Sequence, residues 1–369
     1  MSLINWNNRL TRSAWSWRLL IAEALIVFAY LMALNVGWGI NQLPAVGDAP
    51  EYENIAFHLS QGEGLARGYN EAWIEPYLAA DPVKYAWLNK YQTMTTGPSA
   101  YRPPLQPAIM ASTYQVFGRS YWPMRCLNGL ALAISILIAA WLTRKQFGVI
   151  PSWIVMFLLL IDPRVVEFAH RLLTESWAVL FTLLIAYSLI KAAETRSNYW
   201  YGCVGLFYGL AILSRTSFVL WLPLLMFLFL LDGKEKRIFQ PFKQLVVPVG
   251  IFALCFLMIA GPWFAWNCHI SQSFMPLGTH GWINLPVAYS DQILANGGVF
   301  PSEYARELQE ETFVKPAGWT DMTPIEQEVL LANHGRQIAV GWVQANPRRV
   351  PLLFAKKNVC LLHVRPQPV

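Results

Sequence analysis

Charge is scarce in this chain. Asp, Glu, Lys and Arg make up 14% of 369 residues, against about 25% in an ordinary soluble domain. That deficit excludes a disordered chain, a fibrous chain and a nucleic-acid-binding module, and it argues against a soluble globular enzyme. Cysteine is also sparse. Cys126, Cys203, Cys255, Cys268 and Cys360 are scattered, mostly in apolar stretches, with no CxxC pair, so neither a disulfide framework nor a zinc site is expected. The sequence has no GxxxxGK[ST] loop, no GxGxxG after a strand, no Asp-x-Asp pair and no HExxH. Without a nucleotide cradle, an activated group donor is most simply a lipid embedded in a membrane. Arg9, Arg12 and Arg18 precede a long apolar run that lacks a small-residue cleavage pattern. The first helix is therefore expected to stay as a signal anchor. Internal repeats and low-complexity tracts are absent.

What the chain has in quantity is apolar side chains. Hydrophobic residues reach 55%, in runs of roughly 20 residues that are long enough to cross a bilayer. The expected fold is an all-α polytopic membrane protein with about seven transmembrane helices. The spans are placed at 19–40, 122–142, 150–161, 172–190, 199–213, 218–231 and 245–266. The third is short and is broken by Asp162-Pro163. This gives a cytoplasmic N-terminus at 1–18, a membrane core at 19–266 with a long external loop at 41–121, and a second external region at 267–349. Residues 350–369 read as a C-terminal tail or the start of a missing span. The net charge of +6 follows the positive-inside rule. The N-terminal arginines, Arg144/Lys145, Lys191/Arg196 and the Lys234, Lys236, Arg237 cluster are each separated by two spans, which sets all four on the cytoplasmic side. Asp48, Glu51, Arg102, Asp162, His170, Arg171, Glu175 and Arg215 then gather at the opposite face.

Five segments there could carry chemistry. Asp48-Ala49-Pro50-Glu51 opens a helix whose Tyr52, Ile55, Ala56 and Leu59 recur at helical spacing. Such a helix would lie apolar face down on the membrane. Asp48 either caps its free N–H groups or serves as an ionised general base, and the two roles are compatible. Tyr101-Arg102-Pro103-Pro104 is stiffened by its prolines. Its arginine could hold a phosphate bidentately or simply be solvated before a proline turn. Asp162-Pro163-Arg164, His170-Arg171 and Thr174-Glu175 sit between two short spans, where ionisable groups are expensive and point to function. Interfacial snorkelling is the alternative for Arg164 and Arg171. Arg215 closes an apolar helix on the face that the charge rule leaves poor in cations, which suggests a bound anion. The Gly278–Leu285 loop, with His280, Trp282 and Asn284, suits sugar hydroxyls and ring faces, and it is equally ordinary loop chemistry. Downstream, Thr323-Pro324-Ile325-Glu326 has the spacing of a capping box with Pro at the first helical position, within a helix-like acidic stretch at 301–329.

In order, these motifs resemble the GT-C membrane glycosyltransferases of the protein mannosyltransferase and aminoarabinose-transferase-like group. The likeness runs through Gly47-Asp48-x-x-x-Tyr52-x-x-Ile55-Ala56-x-x-Leu59, Tyr101-Arg102-Pro103-Pro104-Leu105 and Leu173-Thr174-Glu175. It continues through Gly209-Leu210-Ala211-x-x-x-Arg215 and Pro262-Trp263 to the Gly278–Leu285 loop, covering about residues 15–290. The resemblance implies a GT-C-like bundle with interfacial helices in its first loop, and an inverting transfer of sugar from a polyprenyl-phosphate donor to a glycan, lipid or protein acceptor. It implies Asp48 as general base with Glu51 as a second acid, Arg102 on the donor phosphate with Arg215 and Arg171 near it, and Glu175, His170 and Asn284 as orienting groups. No metal or other cofactor is implied, and the site would face the periplasmic or other external side of an inner or plasma membrane. Two features depart from the group. Relatives often carry adjacent Asp-Glu where this chain has Asp48-Ala49-Pro50-Glu51, and they usually continue with further spans beyond the second polar region, so a truncated or unusually small core is expected.

Two other readings remain open: a non-catalytic binder or transporter of a lipid-linked sugar, and an inactive truncated paralogue. A transporter places ionisable groups mid-span, where Glu23 is the single obvious candidate. Clustering at one face favours an enzyme.

Overall fold

The computed structural model describes residues 15–44, 47–91, 95–230, 242–298 and 312–362. Arg9, Arg12, the Lys234 cluster and parts of the 301–329 and 350–364 stretches lie outside them. Among the described residues the architecture is helical apart from one minimal strand pair, and the chain divides into two compact units.

Unit 1 comprises the residues up to Gly64 and Pro103–Ala265. Its helices are α1 (Trp15–Gly37), α2 (Ala49–Ser60), α4 (Leu105–Phe117), α5 (Trp122–Phe147), α6 (Val149–Ile161) and α7 (Pro163–His170). They continue with α8 (Glu175–Thr195), α9 (Asn198–Ser214), α10 (Leu222–Leu230) and most of α11 (Phe242–Ser271). Among the described residues, three helices are long and apolar enough to cross a bilayer: α5, α8 and Gln244–Ser271 within α11. The α6–α7 pair, bent by 62°, makes up to a fourth. The bend falls where Asp162 accepts from the Arg164 N–H at 2.9 Å and Pro163 occupies the first helical position, a local stop and restart. Two further apolar stretches among the described residues are Ala22–Gly37, the later part of the 23-residue α1, and Thr216–Leu230, which begins with a 3₁₀ turn at Thr216–Trp221 and adjoins residues outside the described set.

Ion pairs and hydrogen bonds define two ends of this unit. At one, Glu23 near the start of α1 accepts from Arg144 (3.1 Å) at the end of α5 and from the Trp153 indole (2.8 Å) on α6. There Glu194, near the end of α8, also pairs with Lys145 and Lys191. At the other end, Arg125 on the first turn of α5 reaches the exits of α1 and α7. Between α9 and α11 the backbones approach closely. A Cβ on Gly205 would lie 2.3 Å from the Phe252 carbonyl, and one on Gly209 would lie 2.8 Å from Ile259 Cβ. Small residues four apart permit this contact, the usual way apolar helices pack without a hydrophobic drive between them.

The helix that opens the first loop does not lay its apolar face on lipid. Ala49, Tyr52 and Ala56 of α2 are buried against Met110, Ala111 and Tyr114 of α4, with Tyr121, Met124 and Leu172 completing the cluster. Apolar residues at this spacing cover protein as readily as membrane, and here α4 supplies the partner face.

Unit 2 comprises Leu65–Arg102 and the chain from Trp266 onward. It holds β1 (Ala66–Arg67) antiparallel to β2 (Gly97–Pro98), α3 (Glu71–Ala80), α12 (His280–Ala288), α13 (Asp291–Ala295), α14 (Pro324–Ala345) and α15 (Val350–Leu362). Met275, Ile283 and Ala332 form a core between α12 and α14. The capping box at the start of α14 is present. The Glu326 carboxylate accepts from the Thr323 N–H at 2.8 Å and its hydroxyl at 2.7 Å, with Pro324 in the first turn.

Candidate functional site

Asp48 stands at the N-cap position of α2 and is exposed. Its side chain makes no cap hydrogen bond; its carbonyl accepts from the N–H groups of Glu51 (3.1 Å) and Tyr52 (3.2 Å). Asp48 thus lies at the positive end of the helix, and Glu51 lies half-buried in the first turn. Ala49, the next residue, lines a cavity of about 740 Å³. One wall of this cavity is apolar, from Tyr30 and Leu34 of α1 and from Leu160, Ile161 and Val166 of α6–α7. The polar remainder includes Gln42, Arg125, Glu167, His170 and Arg171.

The basic groups of that rim are held in different ways. Arg125 is 3% exposed, and it spends its guanidinium on three backbone carbonyls: Ile40 (2.6 Å), Gln42 (2.7 Å) and His170 (2.9 Å). Asn128, one turn on, donates to the Arg171 carbonyl and accepts from the Trp177 indole, both at 2.9 Å. Together they fix the chain leaving α1 and the α7–α8 connection. The His170 Nδ1–H donates to Asn35 Oδ1 at 2.9 Å, and its ring meets Trp38 edge-on. Arg171 pairs with Glu167 at 2.5 Å, with both side chains more than a third exposed. Such a pair is weak, so Arg171 can exchange its partner for a stronger anion.

Glu175 opens α8 and Arg215 follows α9, and the two form an ion pair at 2.6 Å. Each sits at the helix end whose partial charge favours it. The cation that sequence reading assigned to a bound anion has a carboxylate partner already in place.

Arg102 and Asn284 belong to unit 2, where His280 joins them. Arg102 Nη1 donates to His280 Nε2 at 3.1 Å, and Asn284 Nδ2 donates to the His280 carbonyl at 3.0 Å. Tyr101 packs edge-on against the His280 ring, and the guanidiniums of Arg67 and Arg102 both lie about 5 Å from the Tyr101 ring centre. The loop that delivers His280 depends on Gly278. Its φ is +78°, and a Cβ there would meet the Ala100 carbonyl at 2.2 Å, a conformation and contact open only to glycine. Beneath this cluster Glu328 is fully buried. It accepts from the Ser99 hydroxyl (2.6 Å), the Ala100 N–H (3.0 Å) and the Thr279 hydroxyl (3.0 Å), and it pairs with Arg67 at 3.4 Å. Burial pushes its carboxyl up, against the pull of Arg67 and these donors.

Several anchors escaped sequence reading: Arg125, Asn128, Arg67 and Glu328, and also Glu53 on α2, whose carboxylate accepts from Arg119 after α4 at 2.8 Å. Arg125 carried a usable signal, a cation inside an apolar span. So did Glu53, a carboxylate on the same helical face as Ala49, Tyr52 and Ala56. Burial and then the Glu53 carboxylate push the Tyr121 hydroxyl up. Among the described residues, no group of three or more His, Cys, Asp or Glu side chains could hold a metal ion.

Several helices of the chain are apolar and long enough to cross a membrane. Residues 101–266 match the family described as dolichyl-phosphate-mannose-protein mannosyltransferase, and this match supports a GT-C membrane glycosyltransferase that depends on a polyprenyl-phosphate sugar. No curated protein and no solved structure gave a match.

Proposed function

We propose that this chain is an inverting glycosyltransferase that moves a sugar from a polyprenyl-phosphate donor to an acceptor hydroxyl at the external face of the membrane. The observation that carries the reading is the cavity next to Asp48. It is apolar along α1 and α6–α7, as a lipid requires, and Arg171 on its rim is a cation with a weak internal partner.

In this reading Asp48 removes the proton of the acceptor hydroxyl as its oxygen attacks the anomeric carbon. The bond from that carbon to the phosphate oxygen breaks, the configuration inverts and polyprenyl phosphate leaves with the electron pair. The proton remains on Asp48 until it passes to solvent. General-base assistance of this kind contributes about 10²–10⁴-fold, and fixed cations near the departing phosphate stabilise the developing charge. Arg102 is assigned to the phosphate by its place in the Tyr101-Arg102-Pro103-Pro104 motif, with Arg171 as a second contact. By the same family resemblance Glu51 is the second acid, Arg215 a further phosphate-side cation, and Glu175, His170 and Asn284 the orienting groups. The seven-span topology and the domain limits derived from charge belong to the same proposal.

Deleting the gene and measuring lipid-linked sugars and surface glycans by mass spectrometry tests the proposal. The expected result is accumulation of one polyprenyl-phosphate sugar and loss of the matching substituent from one glycan, lipid or protein. Unchanged pools of both would refute it.

A further inference from the structure

Glu53 is completely buried, yet it belongs to the helix that carries Asp48 at its N-terminus. Arg119 grips it with two charge-assisted hydrogen bonds, Nε to Oε1 at 2.8 Å and Nη2 to Oε2 at 3.1 Å, and the Tyr114 hydroxyl donates to Oε1 at 3.2 Å. The Arg119 guanidinium also lies over the Phe57 ring, 4.7 Å from its centre. Glu53 and Phe57 are one turn apart, so one arginine clasps one face of α2 by its acid and its ring together. The clasp is itself anchored. Arg119 follows Gly118, whose φ of +69° turns the chain at the end of α4, and two residues later the Tyr121 N–H donates to Asn41 Oδ1 at 2.8 Å. An apolar helix pair such as α2–α4 needs no buried ion pair to stay together, and apolar replacements of such pairs are often neutral or stabilising. A bidentate pair adds something else, a fixed rotation and register.

We infer that the Glu53–Arg119 pair is a positioning device: it sets the rotation of α2 about its own axis and thereby aims the Asp48 carboxylate. Glu53 lies five residues beyond Asp48, about 7.5 Å along the helix, so a small slip of α2 on α4 moves the base directly. The inference rests on Asp48 acting as the base.

The test uses the full chain in membrane vesicles, with synthetic polyprenyl-phosphate mannose and other polyprenyl-phosphate hexoses as donors and the endogenous acceptors. Glu53→Gln alone leaves the partly buried Arg119 guanidinium without its acid and can fail to fold. The decisive variant is therefore the double replacement Glu53→Leu with Arg119→Met, which fills the same space with apolar groups. Its expected behaviour is a melting temperature at or above that of the wild type, a donor KM within about twofold, and kcat reduced on the order of 100-fold, the effect of displacing a reacting group by about 1 Å. Arg119→Lys, which keeps the charge but not the fork, should recover part of kcat. A folded double variant with wild-type kcat would overturn the inference while Asp48→Asn, still inactive, would leave the base assignment standing. Full activity of Asp48→Asn, or no transfer by the wild type with any donor, would remove the assignment and the inference together.

Discussion

At the residue scale, paired charges divide by exposure. The Glu175–Arg215 pair is short at 2.6 Å, but Arg215 is 42% exposed, so a double-mutant cycle on thermal stability should give a coupling of about 0.2–1 kcal/mol. A larger coupling would show that the pair is a structural lock. The Glu53–Arg119 pair is the opposite case. Arg119→Ala takes the cation from a buried carboxylate and should cost about 3–5 kcal/mol, measurable as a fall in the detergent melting temperature. A third acid makes a pH-dependent prediction. Bonds from the Thr323 hydroxyl and N–H hold the Glu326 carboxyl below its ordinary value. A depressed folded pKa stabilises above the unfolded pKa, and that stability fades as pH falls through the folded value. Amide exchange in the first turn of α14 should therefore speed up on acidification below about pH 4.5 relative to the helix centre. Thr323→Ala should already exchange fast at neutral pH. Equal pH profiles for the two proteins would count against the capping role.

At the element scale, legibility followed the type of signal. Helix breaks written in proline and capping residues were readable: Asp162-Pro163 ends one apolar helix and starts another, and Thr323-Pro324-Ile325-Glu326 opens α14. The partner of an amphipathic face was not. The stripe of Tyr52 and Ala56 predicts a covered surface, but nothing local distinguishes lipid from α4. Apolar composition is silent in the same way at Thr216–Trp221, where it continues across a 3₁₀ turn while the α-helical hydrogen bonding does not. Gly209 changes meaning in the same way. It was read as part of a family motif, and the structure gives it a packing role beside Gly205 against α11. Gly205→Leu should force α9 from α11, with an expected cost of about 1–3 kcal/mol from overpacking and a lower melting temperature in detergent. An unchanged melting temperature would show that the helices can part freely at this crossing.

At the scale of the whole molecule, the site residues are split between two units. Asp48, Glu51, His170, Arg171, Glu175 and Arg215 fall in unit 1, and Arg102 and Asn284 in unit 2. Within unit 1 two ends of the helices are each tied together. Arg125 joins the Ile40, Gln42 and His170 carbonyls at one end, and Glu23 accepts from Arg144 at the other. The groups that do the joining were harder to see. A buried arginine satisfied by carbonyls leaves no partner acid in the sequence to betray it, and the acids that pair with Arg119 and Arg67 lie 66 and 261 positions away. The account stands on a single carboxylate, and kinetics of Asp48→Asn in membrane vesicles address it most directly. With polyprenyl-phosphate sugar supplied, the variant should bind the donor with unchanged affinity and lose transfer by about 10²–10⁴-fold; transfer at the wild-type rate would contradict the account.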